Sequence, residues 1–402
     1  MTSINKQKMS TSDNQDEVIE TNWTEQVSSF DDMDLKEDLL RGIFAYGFEK
    51  PSEIQQLAIK PTIQGRDIIA QARSGTGKTG TFGISVLERI DTTLNEPQAL
   101  ILAPTRELVD QITTVIQSIG NFLNVKVEGF VGGKATRDDI IKLKTGVHVI
   151  VGTPGRIEDL INKNVLKLDL MKMFVLDEAD EMLSKGFIEQ VKKIITRLGK
   201  EVQIALFSAT MTTEVKNLTE QFMKNNAIKI FIPLHEQTLE GIPQYYVKID
   251  ENQKLEVIKD LYEKLTLGTS IIFCNSIKSV DWLSNELSKS DFAVSTIHGG
   301  MTQNERENKL IQLRKGQTRL LVTTDILSRG IDVQQLSMIV NYDLPFEPET
   351  YIHRIGRCGR FGRKGIAINL INLKDYDKLR FIETHYNTRI NELPNDLEKI
   401  VR

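Results

Sequence analysis

Residues 72–79 read ARSGTGKT, directly after the apolar run DIIAQ and before a stretch compatible with helix. Gly75 and Gly77 let the backbone turn tightly there, so that successive N–H groups and the N-terminus of the following helix face anionic oxygens. Lys78 carries a cation that reaches β and γ phosphates, Thr79 offers a magnesium-ligating hydroxyl, and Ser74 and Thr76 complete the loop. Ala72 stands where the general pattern has its first glycine. Further on, MFVLDEAD (173–180) ends a second apolar run in carboxylates. Asp177 is the natural magnesium holder, and Glu178 is placed to orient or deprotonate an attacking water, because phosphoryl transfer rests on positioning and charge stabilisation. Positive charge for such a transition state comes from HRIGRCGRFGRKG (353–365), which carries Arg354, Arg357, Arg360, Arg363 and Lys364 with no acid among them. Guanidinium groups so spaced suit bidentate phosphate contacts, and the same run also reads as a generic basic patch or targeting signal.

Holding these groups requires strands that end in loops. From about 30 to 230, the apolar runs DIIAQA, ALILAP, VHVIVGTP, MFVLDEAD and QIALFSAT alternate with longer amphipathic stretches. That is the βαβ pattern of a parallel sheet covered on both faces. The segment 231–243, FIPLHEQTLEGIP, loses the rhythm and reads as a linker. The alternation resumes over 244–402 with SIIFCNS, FAVSTIHGG, RLLVTTD, MIVNYDLP and GIAINLIN. The expected fold is therefore α/β, with two tandem doubly wound domains at 29–230 and 244–402. Residues 1–28, polar and acidic without apolar periodicity, are expected to be a disordered tail. In both domains the unusual polar clusters follow the strands, where ligands of such sheets bind.

With 51 Lys and Arg against 55 Asp and Glu, the net charge of −4 excludes a wholly basic nucleic-acid binder. Ten of the acids but only three lysines lie in residues 1–40, so the folded remainder is slightly basic. Cys274 and Cys358 lie far apart without CxxC spacing, which argues against a disulfide framework or zinc module and fits a reducing compartment. No apolar run approaches the ~20 residues of a membrane span, and the start MTSINKQKMS lacks a secretory pattern, so a soluble protein with no membrane partner is expected.

Taken in order, the motifs resemble those of the DEAD-box ATP-dependent RNA helicases, over nearly the whole of 30–400. GFEKPSEIQ (47–55), ARSGTGKT, PTREL (104–108), Gly132 and Gly133, TPGR (153–156), DEAD and SAT (208–210) match the first half of the family pattern. IIFCNS, TTDILSRGID (323–332) and HRIGRCGR match the second. Within the family, FDDM, DEADEMLSKGF, TLEGI, RGIDVQQ and VNYDLP resemble the eukaryotic translation initiation factor 4A group. The resemblance implies RecA-like domains, ATP and Mg2+ as cofactors, and RNA held by its backbone without sequence preference. Gln55 would read the adenine edge while Phe48 packs on the base, Asp332 would hold the ribose, and Arg357 and Arg360 would reach the γ phosphate. Arg106, Gly133, Thr153, Arg156 and Thr324 would contact RNA, and Ser208 and Thr210 would couple it to the DEAD carboxylates.

The implied role is local unwinding of short duplexes in the mRNA 5′ region, by a cytoplasmic monomer assisted by a scaffold protein and an RNA-binding partner. A nuclear RNA clamp or a ribosomal RNA maturation helicase is the alternative, and motif chemistry by itself does not separate RNA from DNA. Ser276, Gly300, Ser328 and Cys358 depart from the group's usual residues without removing a catalytic group. Gly300 replaces a carboxylate and so removes a possible partner for a neighbouring arginine.

Overall fold

A computed structural model describes residues 5–9, 17–72, 75–133, 135–184, 186–232, 242–264, 268–327, 336–358, 365–386 and 388–394. The chain divides into two compact units, Met1–Leu234 and His235–Arg402. The first is built on strands β1 (Asn5–Met9), β2 (Glu17–Thr21), β3 (Ile68–Gln71), β4 (Ala99–Leu102) and β5 (Val127–Phe130). It continues with β6 (Val149–Gly152), β7 (Met173–Leu176), β8 (Gln203–Ser208) and β9 (Ile228–Phe231). Their order in the sheet is β1-β2-β9-β3-β8-β7-β4-β6-β5. From β9 to β5 every pairing is parallel, as buried βαβ units require.

Side-chain alternation along these strands creates two cores. Ile68 and Ala70 pack on one face and Ile69 on the other; Ala99 and Ile101 oppose Leu100 and Leu102 in the same way. The covering helices supply their apolar stripes at helical spacing. In the helix Arg106–Ile119, Leu108, Val109, Ile112, Ile116 and Ile119 are buried, and the Thr105 side chain accepts from the Leu108 N–H to cap its start.

The leader departs from the expected disordered tail. β1 and β2 form an antiparallel pair, and β2 adds antiparallel to β9 through Glu20↔Phe231 and Thr21↔Ile230. Asn22 continues the attachment by donating to the Ala227 carbonyl at 3.0 Å and accepting from the Lys229 N–H at 2.7 Å. Val27 is already part of the core and Trp23 packs against it, so ordered packing begins well before residue 29. The reason is edge pairing: β9 offers unpaired backbone groups, which a polar segment satisfies as well as an apolar one.

The second unit contains β10 (Gln244–Lys248), β11 (Thr269–Phe273), β12 (Val294–Ile297), β13 (Leu320–Thr323), β14 (Leu336–Asn341), β15 (Ile366–Ile371) and β16 (Asn391–Glu392). Their order is β12-β13-β11-β14-β15-β10-β16, all parallel. It too has a core on each face, one around Phe273, Ile339 and Ala367 and one around Ile272, Val340 and Ile368. Of the expected linker 231–243, Phe231 belongs to β9 and Ile242 is buried, while 233–241 lie outside the described residues. No helix among the described residues is long and apolar enough to cross a membrane.

Candidate functional site

The expected phosphate loop leaves the carboxyl end of β3 and opens the helix Lys78–Arg89. Gly75 and Gly77 hold φ of 88° and 100°, the left-handed region that lets the loop fold back on itself. Space matters at Gly77 as well: a Cβ there would lie 2.8 Å from Ser52 Oγ and 2.9 Å from Gln55 Nε2. One turn on, a Cβ at Gly80 would meet Phe48 Cε2 at 2.9 Å. The GFEKPSEIQ segment therefore lies directly on the loop. Gln55 is buried, accepts from the Ser52 N–H at 2.8 Å and donates from Nε2 to the Gly77 carbonyl at 3.3 Å. Sequence reasoning assigns this amide to a base edge; the structure commits both its ends to the loop and to a helix cap. Phe48 stacks on Phe30 with centroids 6.3 Å apart and meets Tyr46 edge-on at 4.9 Å, making an aromatic shelf beside the loop. Thr76 and Thr79 flank the loop, half-buried, and Ser74 lies outside the described residues.

Strands β8 and β7 are the next two in the sheet, and their ends bring the other phosphate groups alongside. Lys78 Nζ lies 3.7 Å from Glu178 Oε2, both side chains being about 6% exposed. Among the described residues the Lys78 amine finds no hydrogen-bond acceptor. Glu178 sits at φ 50°, a strained backbone for a side chain of this size, and its N–H donates to Asp177 Oδ1 at 3.0 Å. Burial, then the neighbouring Glu178, pushes the Asp177 carboxyl up to about 7, against the pull of Lys78. A dry cation without acceptors beside a carboxylate that resists ionisation is a cluster short of its ligand. Phosphate oxygens would satisfy the Lys78 ammonium, and Thr79 and Asp177 are the side chains that could hold a divalent ion there, whose charge would favour the ionised carboxylate. No cluster of three or more His, Cys, Asp or Glu side chains placed to hold a metal occurs among the described residues.

At the end of β8, Ser208 Oγ accepts from the Asp180 N–H at 3.2 Å and Thr210 Oγ1 donates to Asp180 Oδ2 at 2.7 Å. The SAT segment is thus bonded to the last carboxylate of DEAD.

The remaining strands, β4, β6 and β5, carry the turns assigned to a polymer. Arg106 begins the helix after β4, and a Cβ at Gly133 would lie 2.5 Å from its Nη2; Gly133, at φ 82°, is the seat of that guanidinium. Thr153 precedes the helix Pro154–Asn162 after β6, with open space above Gly155. Arg156 differs from expectation. Its guanidinium is buried, donating to the Val131 carbonyl at 3.1 Å and to Thr136 Oγ1 at 2.8 Å, and it pairs with Asp139 at 3.4 Å. Its side chain binds the protein's own turns, and within the TPGR turn Gly155 is exposed and Thr153 half-buried.

In the second unit, Thr324 follows β13, half-buried, beside Thr323, whose hydroxyl donates to the Ile297 carbonyl at 2.7 Å. Arg354 belongs to the basic run in sequence, yet it is fully buried. Its guanidinium grips both Asp325 oxygens, Asn341 Oδ1 at 3.1 Å, Asn275 Oδ1 at 2.8 Å and the Asp343 carbonyl at 2.6 Å. Sequence reasoning misses this hub; the available signal is Tyr351, Arg354 and Ile355 falling on one buried helical face. Arg357, also buried, donates from Nε to the His353 carbonyl at 3.1 Å. Arg360 and Asp332 lie outside the described residues.

Two sequence-family profiles match the chain, DEAD/DEAH box helicase over residues 52–218 and helicase conserved C-terminal domain over 253–362. The chain is 53% identical to the ATP-dependent RNA helicase eIF4A of Chaetomium globosum, across 95% of its own length and 96% of that protein. Identity to eIF4A of Schizosaccharomyces pombe is 52%, across 96% and 99%. Among solved structures it is similar to S. cerevisiae Dbp5 bound to RNA and ADP BeF3, with TM-score 0.86, 36% identity and coverage of 94% and 100%. A DEAD box protein from Methanococcus jannaschii gives 0.56, 39%, 92% and 100%.

Proposed function

The chain belongs to the DEAD-box family of ATP-dependent RNA helicases, and we propose that it serves as a translation initiation factor of the eIF4A kind, unwinding short duplexes in the mRNA 5′ region. It is an RNA-dependent ATPase. The observation that carries the reading is the sheet order of the first unit, where β3, β8 and β7 end in phosphate-handling residues and the adjoining β4, β6 and β5 end in turns suited to a polymer backbone.

In this reading Lys78 and the main chain of Gly75, Thr76 and Gly77 bind the phosphates, and Thr79 and Asp177 hold Mg2+. Glu178 orients the attacking water, and Arg357 and Arg360 of the second unit stabilise charge on the γ phosphate when the units close. Phe48 packs on adenine, Gln55 discriminates it, and Asp332 holds the ribose. Arg106, Gly133, Thr153 and Thr324 take RNA phosphates without reading bases, so binding should be insensitive to sequence and sensitive to salt. Ser208 and Thr210 relay RNA engagement to Asp180. The working form is a cytoplasmic monomer whose closure is promoted by a scaffold protein and an RNA-binding partner. The identities to eIF4A favour this role over a nuclear clamp or a ribosomal RNA maturation helicase.

The test is steady-state ATP hydrolysis with no nucleic acid, single-stranded RNA or matched DNA, alongside Glu178→Gln. Stimulation by RNA alone, lost in the variant, is expected. Equal stimulation by DNA would overturn the polymer assignment, and undiminished hydrolysis by the variant would overturn the role of Glu178.

A further inference from the structure

We infer that Asp139 is a positioning residue of the RNA-binding edge, acting through Arg156 to fix the separation of the Gly132–Gly133 turn from the TPGR turn. Asp139 belongs to none of the motifs that define the site. It lies on the helix Thr136–Lys144, 3% exposed, and faces an arginine that is 7% exposed. From the first turn of the helix Pro154–Asn162, Arg156 reaches Asp139 at 3.4 Å, Thr136 at 2.8 Å and the Val131 carbonyl at 3.1 Å. Val131 is the residue before Gly132, and Thr136 begins the next helix, so one guanidinium grips both flanks of the glycine turn.

A guanidinium out of water stays in place only where a carboxylate balances it. Without the Asp139 charge, Arg156 is drawn toward solvent and releases the Val131 carbonyl. Gly133, the seat of the Arg106 guanidinium, then moves with its turn. Asp139 thereby sets where main-chain N–H groups and Arg106 meet the polymer, without touching it. The nucleotide loop is remote: β3 and β5 stand five strand spacings apart, about 24 Å across the sheet.

This inference rests on the RNA-helicase reading, and the experiment separates the two. RNA-stimulated ATP turnover is measured in the full chain for Asp139→Asn, Asp139→Glu and Arg106→Ala, titrating a single-stranded oligouridylate at several salt concentrations. Asp139→Asn should raise the half-saturating RNA concentration about tenfold while leaving turnover at saturating RNA and half-saturating ATP within about twofold. The slope of log affinity against log salt should fall by about 0.7 for each phosphate that the protein no longer neutralises, and Asp139→Glu should restore part of the affinity. A purely structural role would lower the melting temperature and leave the salt slope unchanged, which would overturn the inference. If Asp139→Asn does not fold, the charge-neutral pair Asp139→Asn with Arg156→Gln, which leaves no buried ion, takes its place. Normal RNA affinity in that pair would likewise overturn it. Unchanged affinity in Arg106→Ala as well would remove the RNA-edge reading itself, whereas a weakened Arg106→Ala beside an unchanged Asp139→Asn would remove only the role of Asp139.

Discussion

The carboxyl edge of the first sheet has two halves of opposite electrostatic character. Under β3, β8 and β7, buried carboxylates outnumber the cation: Lys78 faces Glu178 at 3.7 Å without a hydrogen-bond acceptor among the described residues, Asp177 resists ionisation and Glu178 sits on a strained backbone. Under β4, β6 and β5, the charged groups are anchored, Arg156 on Asp139 and two turns, Arg106 over Gly133. In the proposed reading a small polyanion arriving with its divalent cation would complete the first half, so the protein groups there need not balance one another beforehand. A long flexible polymer contributes little order of its own, so the second half must be rigid before it arrives. The two meet where β7 pairs with β4 and the Asp177 N–H bonds the Leu102 carbonyl at 3.0 Å.

The comparison breaks most visibly through Lys78. Lys78→Ala removes the cation on which the unbalanced half is organised and should cut RNA-stimulated ATP turnover on the order of 10²–10³-fold; turnover near the parent's would put the phosphates elsewhere. Arg106→Ala should raise half-saturating RNA roughly tenfold with little change in half-saturating ATP, since in the proposed reading its guanidinium donates a charge-assisted hydrogen bond to phosphate. Equal shifts in both constants would mean that the halves are not separable.

Stability against pH sharpens the contrast. Asp177 binds its proton more tightly folded, with a value of about 7, than at its ordinary 3.8. Its contribution to stability is therefore complete below the ordinary carboxylate range and is lost as pH rises through about 7. Asp177→Asn cannot ionise, so without nucleotide it should melt a few degrees above the parent at pH 8, the gap closing toward pH 4; a gap constant with pH would contradict the buried charge. The smallest effect belongs to Gln55→Ala, which loses the amide bridging Ser52 and Gly77 and should cost about 1 kcal/mol in denaturant unfolding. It should also relax the preference for ATP over GTP, and an unaltered preference would leave Gln55 as a loop support alone.

Sequence spacing exposes the unbalanced half well, because its chemistry is written locally: a glycine turn, a lysine, and carboxylates at the end of an apolar run. The anchored half is legible as turns but not as a network. Arg156 and Asp139 sit 17 positions apart, on helices following different strands, and nothing in either segment announces the other. Arg354 misleads for the same reason: a basic run suggests surface, while its partners Asp325 and Asn275 lie 29 and 79 residues upstream. Among strands, β5 escapes because Glu128 and Gly129 interrupt its apolar residues, and only Val127 and Phe130 are fully buried. β2 escapes because edge pairing draws on backbone groups, which composition does not report.

The attachment of β2 to β9 also sets a schedule for biogenesis. The bond from Asn22 to the Ala227 carbonyl spans 205 residues, so Asn22 waits for nearly the last part of its unit to be translated. At about 5–20 residues per second the wait is roughly ten to forty seconds. β3 waits with Asn22, because its partners β8 and β9 are the last two strands of the unit to be made, whereas β4, β5 and β6 can pair among themselves much earlier.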